Sequence, residues 1–211
     1  YTRLSKWGTE KLLKVADKKY VINNVYKAEA SFFDIFTVEF LSGNKDALKK
    51  VNSIVLSRET AEKCFKSVQN AVDKTINIDG VDYTVKAVIE NSRYNTHLKI
   101  DVLFTEDFNK IDPKYEWYSD GAVTYISTKP NTDIKKLEVD IQGVVNKYIL
   151  PRCLDMLNIE LVAPNYYRYY LMPIKDIHLH SHSIAEFEEN GNSTYVRMFI
   201  IIAIFILLIA C

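Results

Sequence analysis

Three histidines alternate with other residues near the C-terminal end of the chain, at His178, His180 and His182. Alternate residues of a β-strand share a face, so the three imidazoles of an extended segment could converge on one metal ion. A catalytic zinc site also needs a bound water and a nearby general base, and no H-E-x-x-H motif supplies them. We therefore favour a polar connector here, and the three histidines remain the only metal candidates in the sequence.

Other catalytic signatures are missing from the sequence. There is no glycine-rich phosphate loop and no G-x-S-x-G nucleophile elbow. The cysteines Cys64, Cys153 and Cys211 are scattered, without the C-x-x-C spacing of a metal or redox site. We predict no catalytic residue, no cofactor and no enzymatic activity.

The net charge of the chain bears on whether it binds nucleic acid. The 211 residues carry 27 Lys and Arg against 27 Asp and Glu, which gives a net charge of zero. A protein that binds nucleic acid needs a basic excess to displace the counterions of the phosphate backbone. Nucleic acid is therefore not expected as the main partner.

The last part of the chain is an apolar run. From position 198 to position 211 there are fourteen consecutive apolar residues, mostly Ile, Leu, Phe and Ala. A membrane-spanning helix needs about 20 such residues, and a helix packed on a core would normally show a polar face. We predict that 195–211 is the start of a transmembrane helix in a longer protein. A buried C-terminal helix and a strand inside a sheet are the alternatives.

Short strands and hairpins dominate the pattern before this run. The clearest is at 75–89, where Asp79-Gly80 suits a type I′ turn between two alternating strands, with Val81 among the inward-facing residues. Further strands are predicted at 2–6, 11–15, 20–25, 53–56, 98–104, 122–128 and 166–172.

Helices are predicted where a capping residue precedes an apolar stripe. Ser31 would cap a single turn and Ser57 a helix over 58–68. Asp133 would cap a third helix, which Pro151 would end. Because strands and helices do not alternate regularly, the fold class is α+β.

Several short motifs, taken together and in order, resemble the extracytoplasmic core domain of MacB/FtsX-type ABC transporter permeases, in particular those of Bacteroidetes-like bacteria. They lie at 30–36 with 41–43, 52–57 with 60, 61 and 65, 74–76, 82–88, 95–101, 176–181, 191–192, 195–196 and the apolar end. The family usually has glycines and a proline at positions that here fall within 66–74, and none occurs in this stretch. The resemblance therefore does not predict the backbone geometry of the loop at 66–74.

The resemblance implies an architecture. A split β-α-β porter-like subdomain would comprise 1–43 and 120–180, with its first strand and helix upstream of Tyr1. A β-rich sabre-like subdomain, 44–119, would be inserted between its halves. A connector at 181–194 would lead to the transmembrane helix that starts in 195–211.

The resemblance also implies a function. The chain would be the periplasmic domain of a permease in a bacterial inner membrane, itself non-catalytic, that couples cytoplasmic ATP hydrolysis to conformational change or export. Its partners would be a separate ATP-binding cassette ATPase subunit and a second permease copy in a homodimer. The resemblance also allows a periplasmic partner protein. The alternatives are a membrane-anchored extracytoplasmic ligand-binding or sensor module and, using the three histidines, a metal-dependent hydrolase.

Overall fold

The computed structural model describes residues 1–8, 10–92, 96–110, 121–157, 168–181, 187 and 193–210. The chain divides into two units, Tyr1–Tyr169 and Tyr170–Cys211, and each is described by itself.

Ten strands form the sheet of the first unit. They are β1 Thr2–Lys6, β2 Lys11–Val15, β3 Lys18–Ile22, β4 Val25–Ala28, β5 Phe40–Ser42, β6 Ser53–Ser57, β7 Thr75–Ile78, β8 Val81–Ile89, β9 Val102–Thr105 and β10 Val123–Tyr125. The helices of this unit are α1 Phe32–Ile35, α2 Arg58–Phe65, α3 Val68–Ala71, α4 Ile134–Val144 and α5 Leu150–Leu157, with a 3-10 turn at Lys45–Leu48.

The strand order of the sheet is β10-β1-β4-β9-β6-β8-β7-β2-β3, and β5 pairs with β8. The pairs β4–β9 and β6–β8 are parallel and the other pairs are antiparallel. Strands from 1–43 lie on both sides of strands from 44–119 and hydrogen-bond to them. The division into porter-like and sabre-like subdomains stays a prediction.

The sheet cannot be flat, because β1 and β2 are neighbours in sequence but six steps apart in strand order. At about 4.8 Å per strand, a flat sheet would separate them by about 29 Å. The chain from Lys6 to Lys11 reaches about 17 Å at most. The sheet of the first unit therefore curls strongly.

The contact between β2 and the end of β1 confirms the curl. Lys11 Nζ of β2 lies 4.0 Å from the ring centroid of Trp7, which directly follows β1, six steps away in the strand order. Trp7 donates its backbone N–H to the Val25 carbonyl at 2.8 Å and packs on Phe104 with ring centroids 4.6 Å apart. Strands from β3 at one end of the sheet to β4 share one core, against which Trp7 packs; its members include Leu13, Ile22, Val25, Ile54, Ile78, Val85, Val102 and Phe104.

The β7–β8 hairpin is confirmed. Asp79 has φ 51° and Gly80 has φ 86°, the positive angles of a type I′ turn. The predicted inward-facing residues Ile76, Ile78, Tyr83, Val85, Ala87 and Ile89 are buried. Val81 is the exception, with 43% of its surface exposed. It lies beyond Thr84, where the pairing of β8 with β6 ends, so β7 adjoins it on one side and β6 does not reach it on the other.

Most other local predictions hold, with shifts in length. The strand at 2–6, the strand pair of β2 and β3 and the strand starting at Ser53 are confirmed. The strands predicted at 98–104 and 122–128 shorten to β9 and β10, and β4 was not predicted. At 166–172 the predicted strand is wrong over 168–172, which form neither strand nor helix, while 166 and 167 lie outside the described residues.

The helix caps follow the predictions in two of three cases. The Ser57 hydroxyl accepts from the Thr60 N–H at 3.2 Å, and Asp133 Oδ1 accepts from the Lys136 N–H at 3.1 Å. The Ser31 side chain makes no capping hydrogen bond, although α1 starts after it and buries Phe32. Packing of the Phe32 ring, which stacks on Phe36 at 4.7 Å, explains this turn better than a cap.

Pro151 does not end the helix that Asp133 starts, contrary to the prediction. A π-helical turn at Val145–Ile149 follows α4, and Pro151 is the second residue of α5. The Leu150 N–H donates to the Val145 carbonyl, five residues back. Proline lacks an N–H for the usual ladder and its ring crowds the preceding turn, and a widened turn accommodates both effects.

The loop at 66–74 keeps its backbone shape without glycine. Lys66 ends α2 with φ 71°, and Asp73 has φ 60°. Both are left-handed conformations that usually fall to glycine at a helix end. Local contacts support them: the Lys66 N–H donates to the Glu62 carbonyl at 2.8 Å, and Asp73 receives a hydrogen bond from Lys86 Nζ at 2.6 Å. This loop therefore holds two left-handed positions without glycine.

Gly43 is the position where a side chain is least tolerable. It has φ 77°, and an added Cβ would lie 2.3 Å from the Lys86 carbonyl oxygen and 2.7 Å from Ala87 Cβ. The close approach follows from the irregular pairing of β5 with β8.

We expect Gly43→Ala to lower the free energy of unfolding by about 2–4 kcal/mol, from backbone strain and steric overlap together. The matched control is Gly143→Ala in α4, where an added Cβ meets nothing within 4 Å. There the same change should stabilise by about 0.5–1 kcal/mol. Denaturant unfolding followed by tryptophan fluorescence measures the free energy of unfolding of both variants. Equal effects at the two sites would contradict the close approach of Gly43 to Lys86 and Ala87.

Candidate functional site

Helix α7, Ser193–Ala210, is the most unusual surface of the protein. Its large apolar side chains from Tyr195 to Ile209 are exposed, by between 45% for Val196 and 84% for Ile209. Exposure on all sides means that the helix has no polar face toward water. Such a surface is unfavourable in water, at about 25 cal/mol for each Å² of apolar area. Among the described residues, no helix is both long and apolar enough for a complete membrane crossing.

The histidine segment is helical where a strand would be needed. Helix α6 spans Ile174–His180 and follows Pro173, which occupies the position before its first turn. The Asp176 N–H donates to the Pro173 carbonyl at 2.9 Å. Proline has no N–H for a strand ladder, but it fits the start of a helix, where that N–H has no partner anyway.

This helix changes the geometric argument for a metal site. Positions two apart on a helix do not share a face, so the alternation of His178 and His180 no longer brings them together. Their side chains and all of His182 lie outside the described residues, and the metal hypothesis stays a prediction. Elsewhere in the described part of the chain, no group of three or more His, Cys, Asp or Glu side chains is placed to hold a metal ion.

Two cysteines of the first unit, Cys64 and Cys153, are buried. Neither forms a disulfide within the described residues. Burial is the main cause that raises the pKa of the Cys64 thiol to about 11, and the nearby Lys63 charge opposes it only in part. A thiol with this pKa stays protonated at neutral pH, so Cys64 is no nucleophile.

A charged network joins the start of the sheet to the segment after β9. Glu29 accepts hydrogen bonds from the Arg3 backbone N–H at 2.8 Å and from its Nε at 2.9 Å. Arg3 Nη2 also donates to Asn109 Oδ1 at 2.7 Å, and the guanidinium lies 5.5 Å from the Phe108 ring centroid. All the groups of this network are satisfied within it, so its role is to hold the 106–110 segment against β1.

A second ion pair joins α2 to the end of β8. Arg58 donates from Nε to Glu90 Oε1 at 3.0 Å and from Nη2 to Glu90 Oε2 at 2.6 Å. These bonds, and then the one from the Asn91 N–H at 2.9 Å, lower the pKa of the Glu90 carboxyl to about 2. The carboxylate is fixed by the fold and is not a candidate proton donor.

A protein-family model matches part of the first unit. The family model described as the MacB-like periplasmic core domain matches residues 5–144, from β1 to the end of α4. This is more than half of the 211 residues. The chain belongs to the MacB-like periplasmic core domain family. The resemblance found in the sequence motifs is confirmed.

One solved structure agrees in fold, and two others are more distantly similar. A domain of a protein classed as a permease, from Porphyromonas gingivalis, is 20% identical with a TM-score of 0.57, over 70% of this chain and 69% of that one. The periplasmic region of MacB from Actinobacillus actinomycetemcomitans is 15% identical with a TM-score of 0.49, over 76% and 77%. The extracellular domain of the noncanonic ABC-type transporter YknZ from Gram-positive bacteria is 13% identical with a TM-score of 0.42, over 75% and 76%. No curated protein matches the chain.

The MacB-like core domain thus carries its charged groups in structural pairs, and its exposed apolar surface is concentrated on α7. Sequence reasoning found α7 from its apolar run. It missed the Arg3 and Arg58 pairs, whose members lie 26 and 32 residues apart and leave no local signal.

The Arg58–Glu90 pair makes the protein sensitive to acid. Because the pKa of Glu90 is depressed in the folded state, its contribution to stability is present above the unfolded value of about 4.3 and is lost as the pH falls toward 2. We expect an NMR titration of the Glu90 carboxyl to show a midpoint near pH 2. In Arg58→Met the midpoint should rise toward about 4.3.

Glu62→Gln is the control for this titration, because Glu62 lies 4.0 Å from Arg58 Nη1 and does not hydrogen-bond Glu90. It should leave the Glu90 midpoint near that of the unmodified protein. A Glu90 midpoint that is unchanged in Arg58→Met would show that the ion pair does not set this pKa.

Proposed function

We propose that the chain is the periplasmic domain of an ABC transporter permease in a bacterial inner membrane. Family membership is the observation that carries this proposal. In this role the domain is non-catalytic and couples ATP hydrolysis by a separate ATP-binding cassette subunit to conformational change or export outside the cytoplasm. A second permease copy completes the transporter as a homodimer, and a periplasmic protein is a further partner.

Helix α7 supports the membrane part of the proposal. Its apolar residues from Met198 onward face outward on every side, as they do in a helix surrounded by lipid. Tyr195 and Arg197 precede them, and residues of these two types favour the membrane–water interface. We propose that α7 is the first part of a transmembrane helix that enters the hydrocarbon near Met198.

In the proposed mechanism, the first unit moves as one rigid body. Its curled sheet shares one core from β3 to β4, so displacing one strand disturbs the packing of the others. In the proposed mechanism, movement of α7 in the membrane is passed through the 181–194 connector to this unit. A helix is stiff along its axis, which suits it to carry such a displacement.

The membrane proposal predicts that α7 binds bilayers through its apolar residues. We expect the full chain to float with phosphatidylethanolamine/phosphatidylglycerol vesicles in a density gradient. Ile201→Asp combined with Ile204→Asp should abolish flotation, because each aspartate at the centre of a membrane helix costs about 3 kcal/mol. Leu12→Asp combined with Val21→Asp is the matched control; it places two aspartates at exposed apolar positions of the sheet and should leave flotation unchanged.

The coupling proposal predicts that a stiff connection is required. In the full-length permease with its ATPase subunit, we expect the distance between spin labels on the two periplasmic domains to change with ATP. A Gly-Ser-Gly-Ser insertion after Glu189 should abolish this change while ATP hydrolysis continues. The same insertion in the β2–β3 turn, after Asp17, is the control and should preserve it. A nucleotide-dependent distance change that survives the connector insertion would rule out mechanical coupling through this segment.

A further inference from the structure

Strand β3 forms one edge of the sheet within the described part of the chain. Two residues, Ala16 and Asp17, connect it to β2, and Val15 is paired with Lys18 across the turn. In a hairpin with a two-residue turn, the two residues that flank the turn form two backbone hydrogen bonds with each other. Every second residue pair after them does the same. The backbone groups of Lys19 and Val21 therefore point away from β2, toward the open edge.

One of these outward groups is already in use. The Val21 carbonyl accepts a hydrogen bond from Lys63 Nζ of α2 at 3.0 Å. A lysine ammonium on a long, exposed side chain is a mobile partner that another donor can replace. The contact shows that this carbonyl is accessible from outside the β2–β3 ladder.

An exposed apolar pair lies beside the edge. Leu12 and Val21 are opposite each other in the register of the hairpin, and 43% and 51% of their surfaces are exposed. Their neighbours Leu13 and Ile22 point the other way and are buried. The outer face of the hairpin thus offers apolar contact area next to backbone groups that point away from β2.

The charge of the hairpin selects the partner. Positions 11–22 carry four lysines against the single acidic residue Asp17. Lys11 forms an ion pair with Asp79, and Lys18 and Lys19 lie on β3 itself. Pairing β3 with β3 of a second copy would bring two Lys18 and two Lys19 side chains into one short ladder, where like charges repel. An acidic strand would instead meet opposite charges.

We propose that β3 is a docking edge for an extended, acidic segment of another protein, which adds to the sheet as a further strand. Backbone groups of Lys19 and Val21 hydrogen-bond the segment, and the exposed Leu12–Val21 pair contacts its apolar side chains. Side chains alternate along a strand, so its carboxylates lie on the opposite face, near Lys18. The Lys63 ammonium moves from the Val21 carbonyl to one of them. This surface belongs to the first unit and does not depend on the membrane role of α7.

The test uses the full chain in detergent micelles and a fluorescent, amidated peptide with the sequence Glu-Val-Glu-Ile-Glu-Val-Glu. We expect saturable binding by fluorescence anisotropy, with slower hydrogen exchange at the amides of Lys19 and Val21. A peptide with proline in place of each Val and Ile has the same charge but cannot form a strand ladder. It should bind at least about tenfold more weakly, since the hydrogen bonds of the ladder are lost.

Variants of Val21 separate backbone pairing from charge. Val21→Pro removes an N–H that points outward and leaves the pairing with β2 intact, so it should weaken binding about tenfold or more. Val21→Thr is its matched control, because it keeps the N–H and the β-branched shape, and its affinity should stay within about threefold of the unmodified chain. Lys18→Glu combined with Lys19→Glu should reverse the preference toward a Lys-Val-Lys-Ile-Lys-Val-Lys peptide.

Three outcomes would overturn the proposal. Equal binding of the proline peptide would show plain charge attraction, and equal binding by Val21→Pro would place the peptide elsewhere. Dimerisation of the unmodified chain that Val21→Pro abolishes would identify a second copy as the occupant. Vesicle flotation of the same variants reports the membrane role separately, so failure here leaves that role intact.

Discussion

The short connection between β1 and β2 is the constraint on which the rest of the first unit depends. Two strands that are adjacent in sequence lie six steps apart in the sheet, and the chain between Lys6 and Lys11 is too short for a flat arrangement. The sheet must curl, and the curl brings Lys11 of β2 against the Trp7 ring just after β1. The shared core follows from this geometry, because buried faces of distant strands then point toward one interior.

Two other features follow from the same arrangement. Strands of 44–119 occupy the middle of the sheet, with β2 and β3 on one side and β4, β1 and β10 on the other. Gly43 sits where β5 approaches β8 so closely that only a hydrogen fits. The ion pairs of Arg3 and Arg58 then hold the segments that leave the sheet, through contacts between residues distant in sequence.

The family and the apolar helix together give the domain its place in a transporter. A MacB-like periplasmic core domain needs no chemistry of its own in the proposed role; it needs a stiff body, a connection to the membrane and surfaces for partners. The curled sheet supplies the first and α7 the second. The basic edge of β3 is suited to bind a partner. Its positive charge disfavours pairing with β3 of a second copy of the chain, and its backbone groups point outward.

The amino-acid sequence alone determined the features whose causes are local. The Asp79-Gly80 turn, the Ser57 and Asp133 caps and the apolar run at the C-terminus follow from residues within a few positions of one another. The ordered set of short motifs was also sufficient for the family. The histidine alternation did not reveal the helix that follows Pro173, because a period of two is not a helical period.

Tertiary structure alone decided the features whose causes are distant. The strand order, the curl, the burial of β4 and the exposure of Val81 depend on which strands become neighbours, and no local pattern encodes that choice. Pro151 stays inside a helix because the preceding π turn widens around it, and Lys66 keeps a left-handed backbone because contacts of the loop support it. Local preferences of about 1–3 kcal/mol were outweighed at these positions by packing and hydrogen bonds that form only in the folded chain.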